Sequence, residues 1–228
     1  MTATVRRPAA RRTSTPKSRV VLSRELIAET ALRLTRDEPT TPLTLNRLGA
    51  ELGADPTALY RHYRNRDELL LAVYDLVYGD VVARFRVEKD WRDSLRAAAW
   101  GMRAVLLERP ALVAEVGFRF TGGPHEARAI SLTREVLEQA GLSAEQARQQ
   151  TRAYGEMMLS HVAMSSASIS APDEVQTREL EISRGVYGLD VADMAAYETD
   201  TFTRIIDTYI DGLSAQARAA KRARGRAR

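Results

Sequence analysis

The sequence predicts an all-α fold, and three observations carry that prediction. Apolar residues recur at helical spacing over most of the chain from residue 22 onward. Ser, Thr, Asp and Asn stand where those runs begin, and Gly or Pro where they stop. No stretch shows the period-two alternation of a half-buried strand. With 228 residues the chain can bury a core without covalent staples. It contains no cysteine, which excludes disulfides, thiolate metal sites and cysteine nucleophiles. No apolar run is long enough to span a membrane, and no apolar segment follows the basic N-terminus as in a secretory signal. The expectation is therefore a soluble cytoplasmic protein with no membrane partner.

The elements follow in order. Residues 1–20, rich in Arg, Ala, Thr, Ser and Pro without an apolar period, read as a disordered basic arm. Ser23 caps a first helix that turns Ile27, Ala31 and Leu34 inward, and Pro39 and Pro42 end it. Thr44 caps a short second helix with Leu45, Leu48 and Leu52 inward, followed by a turn at Gly53 and Ala54. Asp55 and Pro56 start a third helix of similar length, with Leu59 and Tyr63 facing in. Asn65 to Glu68 form a capping box for a fourth, backed by Leu69, Leu70, Val73 and Val77. Further helices are expected from Trp91 to Glu108, from Ala111 to about Phe118, over 125–140, and from the Ser143/Gln146 capping box to about Ser168. Residues 169–188, with Pro172, Gly185 and Gly188, read as a long loop or a loop with one helical turn. From Asp190 the pattern is helical again, with a stripe of Phe202, Ile205, Ile206, Tyr209, Ile210 and Leu213.

Charge is unevenly placed. Residues 1–22 carry six cations and no acid, and so do residues 214–228. The chain between them holds 22 basic and 30 acidic residues, a net −8, so the overall +4 comes from the ends. Basic tails on an acidic body fit a polyanionic partner, or simply two solvated ends.

Residues 44–63 carry the most information about function. Two short helices joined at a glycine turn make a helix-turn-helix plan, whose second helix places its first residues against base edges in the major groove. After Asp55, residues 56–66 hold Arg61, His62, Arg64 and Arg66 and no acid, the sign that a phosphate-facing surface requires. Ala58 is small enough to allow close approach.

The stretch from Leu45 to Leu70, with its LxxLGxELG helix, the LYRHY segment and NRDELL opening the next helix, resembles the TetR family of transcriptional regulators over about residues 22–78. The resemblance implies an N-terminal three-helix helix-turn-helix domain over residues 21–68. It also implies a C-terminal helical domain for ligand binding and dimerisation over 69–217; the charge pattern alone sets residues 218–228 apart as a basic tail. It implies that Thr44 bonds a phosphate, that Asn46 and Arg47 reach bases or backbone, and that Asp55, Pro56, Thr57 and Ala58 open the recognition helix. Tyr60 would press on the sugar-phosphate chain, Arg61 and His62 would follow on the exposed face, and Arg66 would stand where the family's lysine meets a phosphate. Asn46 replaces a common Arg and would favour adenine over guanine. Ala58 stands where Gly or Thr is usual. Gly49 replaces a usual Ala, at a cost of roughly 1 kcal/mol in helix propensity unless packing needs the space.

The same resemblance implies a homodimer on a near-palindromic, double-stranded operator, paired through helices at about 145–168 and 196–217, and a small-molecule effector bound among the middle helices. Trp100, Arg103, Phe118, His125, Tyr154, Met157, Met158 and His161, together with Phe120 and Met164, are the candidate pocket residues, an apolar mix that suits a hydrophobic effector. Each is equally readable as core. The histidines have no ligand spacing with carboxylates, and no nucleophile elbow, phosphate loop or dinucleotide fingerprint is present, so neither enzyme chemistry nor a cofactor is expected. The expectation is a sequence-specific regulator acting as a repressor. Its alternatives are an architectural DNA-binding protein working through basic tails, and a helical partner-binding protein without an operator.

Overall fold

The computed structural model describes residues 21–188 and 194–226. The basic arm expected over residues 1–20 lies outside the described residues, as do the start of the last helix at Asp190 and the final two residues of the tail.

The caps read from the sequence organise the first third. Ser23 Oγ accepts from Leu26 N at 3.1 Å and opens α1 (Arg24–Asp37), which buries Ile27, Ala31 and Leu34. Thr44 Oγ1 accepts from Arg47 N at 3.2 Å and opens α2 (Leu45–Leu52), which ends at Gly53 with φ 62°. The element that follows differs from expectation. Residues Pro56–Arg61 form a six-residue 3₁₀ helix rather than an α-helix the length of α2. Its backbone bonds run three residues apart, Ala58 N to Asp55 O at 2.9 Å and His62 N to Leu59 O at 3.0 Å. Only Leu59 of this turn is buried, so too little apolar surface exists to hold a longer helix against the core.

Gly49 resolves the propensity question. A Cβ there would meet the Ala54 carbonyl oxygen at 2.8 Å and Pro56 Cγ at 3.1 Å. The turn packs so closely on α2 that alanine does not fit, and packing outweighs the propensity lost.

α3 (Arg66–Arg84) belongs to both halves of the molecule. Asn65 Oδ1 caps it by accepting from Glu68 N at 2.8 Å. The capping box is incomplete, because Glu68 Oε2 turns instead to Arg64 N at 2.7 Å. Leu69, Leu70, Val73, Tyr74, Val77, Tyr78 and Val81 are buried, and α3 packs against α1 at one end and against helices of the body that follows at the other.

The body continues with α4 (Trp91–Leu107), α5 (Pro110–Val116), α6 (Pro124–Gln139) and α7 (Ala144–Ile169), the last opened by the expected Ser143/Gln146 capping box. The stretch read as a loop is α8 (Asp173–Tyr187). Pro172 precedes it, Asp173 and Glu174 occupy its first turn, and Gly188 ends it at φ 62°. It buries no residue, so no apolar stripe announced it in the sequence. α9 (Met194–Arg226) runs on through the segment set apart as a tail. Phe202, Ile206, Ile210 and Leu213 of its stripe are buried within their own subunit. Among the described residues there is no strand, and no helix is long and apolar enough to cross a membrane.

Candidate nucleic-acid interface and effector cavity

On the surface formed by α2 and the 3₁₀ helix, several polar groups keep hydrogen-bonding capacity that the chain does not use. Asn46, Tyr60 and Arg61 are exposed, and their side chains have no hydrogen-bond or ion-pair partner among the described residues. Tyr60 is 51% exposed. His62 is half-buried, near enough to Glu25 to act on it electrostatically. Thr44 Oγ1 accepts from the helix, which leaves its O–H free to donate outward. Asp55 is occupied locally, its Oδ1 accepting from Thr57 N at 2.8 Å and Thr57 Oγ1 at 2.6 Å; these bonds hold its carboxyl below the ordinary value. Pro56 and Ala58 are half-buried and Thr57 is exposed.

Two expected contact residues are engaged elsewhere. Arg47 is only 18% exposed in its side chain; it donates to Leu34 O at 3.0 Å and pairs with Glu38 at 3.2 Å, tying α2 to the end of α1. Arg66 donates to Leu43 O at 2.7 Å and makes a two-point ion pair with Glu115 of α5. Glu115 raises the Arg66 pKa. Alongside it, Arg119 clasps Asp67 through both nitrogens and holds that carboxyl below its ordinary value. Ala111 N also donates to Pro39 O at 3.1 Å. Deeper in, fully buried Arg109 reaches Asp80 of α3 at 2.9 Å, and Arg36 of α1 reaches the same carboxylate oxygen at 3.0 Å. Four contacts thus join the helix-turn-helix head to α5 and its flanks. Sequence reasoning missed them because no local pattern links residues 29 or more apart.

A cavity of about 360 Å³ lies between α3, α4, α6 and α7. Tyr78, Met102, Phe120, Ala129, Ile130, Tyr154 and Leu159 give it mostly apolar walls. Of the eight principal effector candidates only Tyr154 lines it, with its hydroxyl spent on Leu95 O at 2.8 Å. Burial pushes the Tyr78 and Tyr154 phenols up, so both stay neutral at ordinary pH.

The other candidates lie elsewhere. Trp100 packs edge-on against Phe202 at 4.8 Å, and Arg103 lies over both rings. Met158 is core, whereas Met157 sits in a groove between α7 and α9. Phe118 and Met164 are exposed. His125 lies over Gly79. His161 is buried 3.5 Å from Glu198, stacked on Phe202, and burial lowers its pKa. Helical spacing turned Trp100, Met158 and His161 inward, but for these three inward means core.

The polar wall of the cavity was not foreseen. α6 has no side-chain cap of its own, because Gly123 precedes it. Asp75 of α3 supplies the cap, its Oδ1 accepting from Glu126 N at 3.0 Å and its Oδ2 from His125 N at 3.4 Å. Any Cβ at position 123 would overlap the Asp75 carboxyl, which explains the glycine. Glu126, 4% exposed, turns its Oε2 to Thr121 N and Gly122 N, each at 2.9 Å, and to Thr121 Oγ1 at 3.0 Å. Cavity wall, loop 121–123 and α3 are therefore one hydrogen-bonded unit. The signal available in the sequence was Asp75 itself, a carboxylate in the middle of an apolar helix. Among the described residues no three His, Asp or Glu converge as a metal site.

A helix-turn-helix head with uncommitted polar groups is thus joined to an all-helical body that holds a largely apolar cavity. Residues 27–73 match the family described as bacterial regulatory proteins, tetR family. The chain is similar to an HTH-type transcriptional regulator of Saccharopolyspora erythraea, 28% identical over 56% of this chain and 52% of that protein. It also resembles the class C tetracycline repressor protein of Escherichia coli, 36% identical over 38% and 40% of the two chains. The chain thus spans about half the length, or less, of these curated relatives. The Streptomyces coelicolor TetR family protein ActR, solved in complex with (S)-DNPA, shares the fold with a TM-score of 0.68 at 23% identity, over 87% of this chain and 100% of that one.

Proposed function

We infer that the protein is a homodimeric, sequence-specific DNA-binding regulator, acting as a repressor whose operator affinity falls when a small apolar molecule fills the cavity. Residues 21–68 serve as the reading head and residues 69–217 as the effector and dimerisation domain. The observation that carries this reading is the combination of unspent donors on the head with ion pairs that bind the head to the cavity's own framework. Asn46, Tyr60, Arg61 and the Thr44 hydroxyl face outward without partners, as phosphate and base contacts require, with half-buried His62 beside them. Arg66 and Arg119 fix the head to α5 and to the loop that leads into the cavity wall.

The coupling follows from that connection. A ligand that moves the 121–126 segment shifts Asp75 on α3 and the Arg119–Asp67 clasp, and with them the angle at which each head leaves the body. The ligand acts by binding the DNA-incompetent arrangement better than the competent one. Dimerisation uses α7 and α9, where Met157, Ile205, Thr208, Tyr209 and Gly212 line an open groove. The named ligand complex of ActR and the name of the tetracycline repressor support a small-molecule effector.

The test is selection of bound sequences from a random duplex pool at about 150 mM salt, which suppresses nonspecific phosphate binding. The expected result is a near-palindrome with one half-site per head. Recovery of no consensus, with binding that collapses as salt rises, would replace this reading with architectural binding through the basic ends.

A further inference from the structure

The polar wall of the cavity specifies the chemistry of its occupant. Glu126 spends one carboxylate oxygen on three donors of the 121–122 loop and leaves the other, Oε1, buried without a partner. On another wall, Thr151 of α7 is 7% exposed, and its hydroxyl is likewise buried and unpartnered. Both residues line the same apolar cavity. Asp75, also buried, sits directly behind Glu126, and among the described residues no cation lies within ion-pair distance of either carboxylate. Two buried carboxylates supported only by N–H and O–H dipoles are a standing cost that an incoming positive charge would relieve.

The arginines at the cavity edge do not oppose such a guest, because each faces a carboxylate of its own helix. Arg134 pairs with Glu138 at 3.8 Å, Arg152 with Glu156 at 2.9 Å and Arg148 with Glu145. The walls otherwise offer Tyr78, Met102, Ile130 and Leu159, surfaces suited to a ring. We propose that the cavity takes a ring-bearing apolar molecule with a protonated amine, which donates to Glu126 Oε1 and to the Thr151 hydroxyl oxygen. The proposal rests on reading this cavity as the effector site, and it adds the sign of the effector's charge and the residues that select it.

Three probes that share one ring and differ in charge test it: 1-naphthylmethylammonium, 1-naphthylmethanol and 1-naphthoate, titrated calorimetrically into the full chain at neutral pH. The expected order is ammonium, alcohol, carboxylate, with ammonium at least about tenfold tighter than naphthoate. Glu126→Gln keeps an acceptor for the loop N–H groups and presents an amide to the cavity, so it should erase that preference. Thr151→Val leaves the Asp75 cap untouched and should weaken ammonium binding about fivefold. The proposal is overturned if naphthoate binds as tightly as ammonium, if the preference survives Glu126→Gln, or if none of the three binds at millimolar concentration. Should Glu126→Gln fail to fold, the wild-type order and the Thr151→Val response decide between the outcomes.

Repeating the titrations with the selected palindrome bound separates this claim from the reading beneath it. Ammonium binding that leaves DNA affinity unchanged upholds the charge preference and removes the effector role. Release of DNA by naphthoate alone keeps the effector role and overturns the charge preference.

Discussion

The reading head and the cavity both hold polar groups with hydrogen bonds left to make, but they hold them in opposite ways. On the head, Asn46, Tyr60 and Arg61 are exposed, so water satisfies them until a partner arrives and little stability is at stake. In the cavity, Glu126 Oε1 and Thr151 Oγ1 are buried, and the fold itself carries the cost of leaving them unpaired. Under the proposed function, the difference assigns each region its own kind of selectivity. A polyanion is abundant and needs capture by many exposed donors acting together, whereas a rare small molecule needs a site whose unmet demand only the right group can fill.

Substitutions can sharpen that contrast. The largest expected effect is in the body. Gly123→Val drives a side chain into the Asp75 carboxyl, breaks the cap of α6, and should cost about 3 kcal/mol. For a chain of this length that is a fall of roughly 6–12 °C in Tm, read by thermal unfolding. Next comes Tyr60→Ala on the head, which should weaken binding to the selected operator about tenfold while leaving stability within about 0.5 kcal/mol; a variant that melts early instead would mean the ring is structural. Gly49→Ala should destabilise by about 1 kcal/mol net, because contact with the Ala54 carbonyl outweighs the gain in helix propensity.

The smallest effect is a pH dependence of the clasp between head and body. Arg119 lowers the Asp67 pKa, so the clasp stabilises the fold above the unfolded value near 3.8 and is lost as pH falls through the lower folded value. Denaturant melts of wild type and Asp67→Asn should differ at neutral pH and converge as the medium becomes more acidic than about pH 4. A gap that persists into acid would show that the clasp does not titrate as described.

The head was largely legible because its signals are local. Ser23, Thr44, Asp55 and Asn65 each cap a neighbour within three residues, and the caps fall where the sequence predicted. The body was legible as helices but not as a site. Tyr78, Met102 and Ile130 look like core residues in sequence, and only tertiary packing decides that they face a void. Conversely Trp100, Met158 and His161 share the same spacing and pack solidly. α8 went unseen because a helix that buries nothing carries no stripe. Arg66, read by resemblance as a phosphate contact, is joined to Glu115 in the structure, a pairing across 49 residues that no window of sequence displays.

That last pair provides the most direct test, because Arg61 and Arg66 lie five residues apart and the account assigns them opposite partners. Arg61 is exposed and uncommitted, while Arg66 belongs to the junction of head and body. The measurement is the salt dependence of binding to the selected operator for Arg61→Ala and Arg66→Ala beside wild type. The account predicts that Arg61→Ala reduces the slope of log K against log salt by about 0.9, one phosphate contact, and that Arg66→Ala leaves the slope unchanged while lowering stability. A slope reduced by Arg66→Ala and untouched by Arg61→Ala would contradict it.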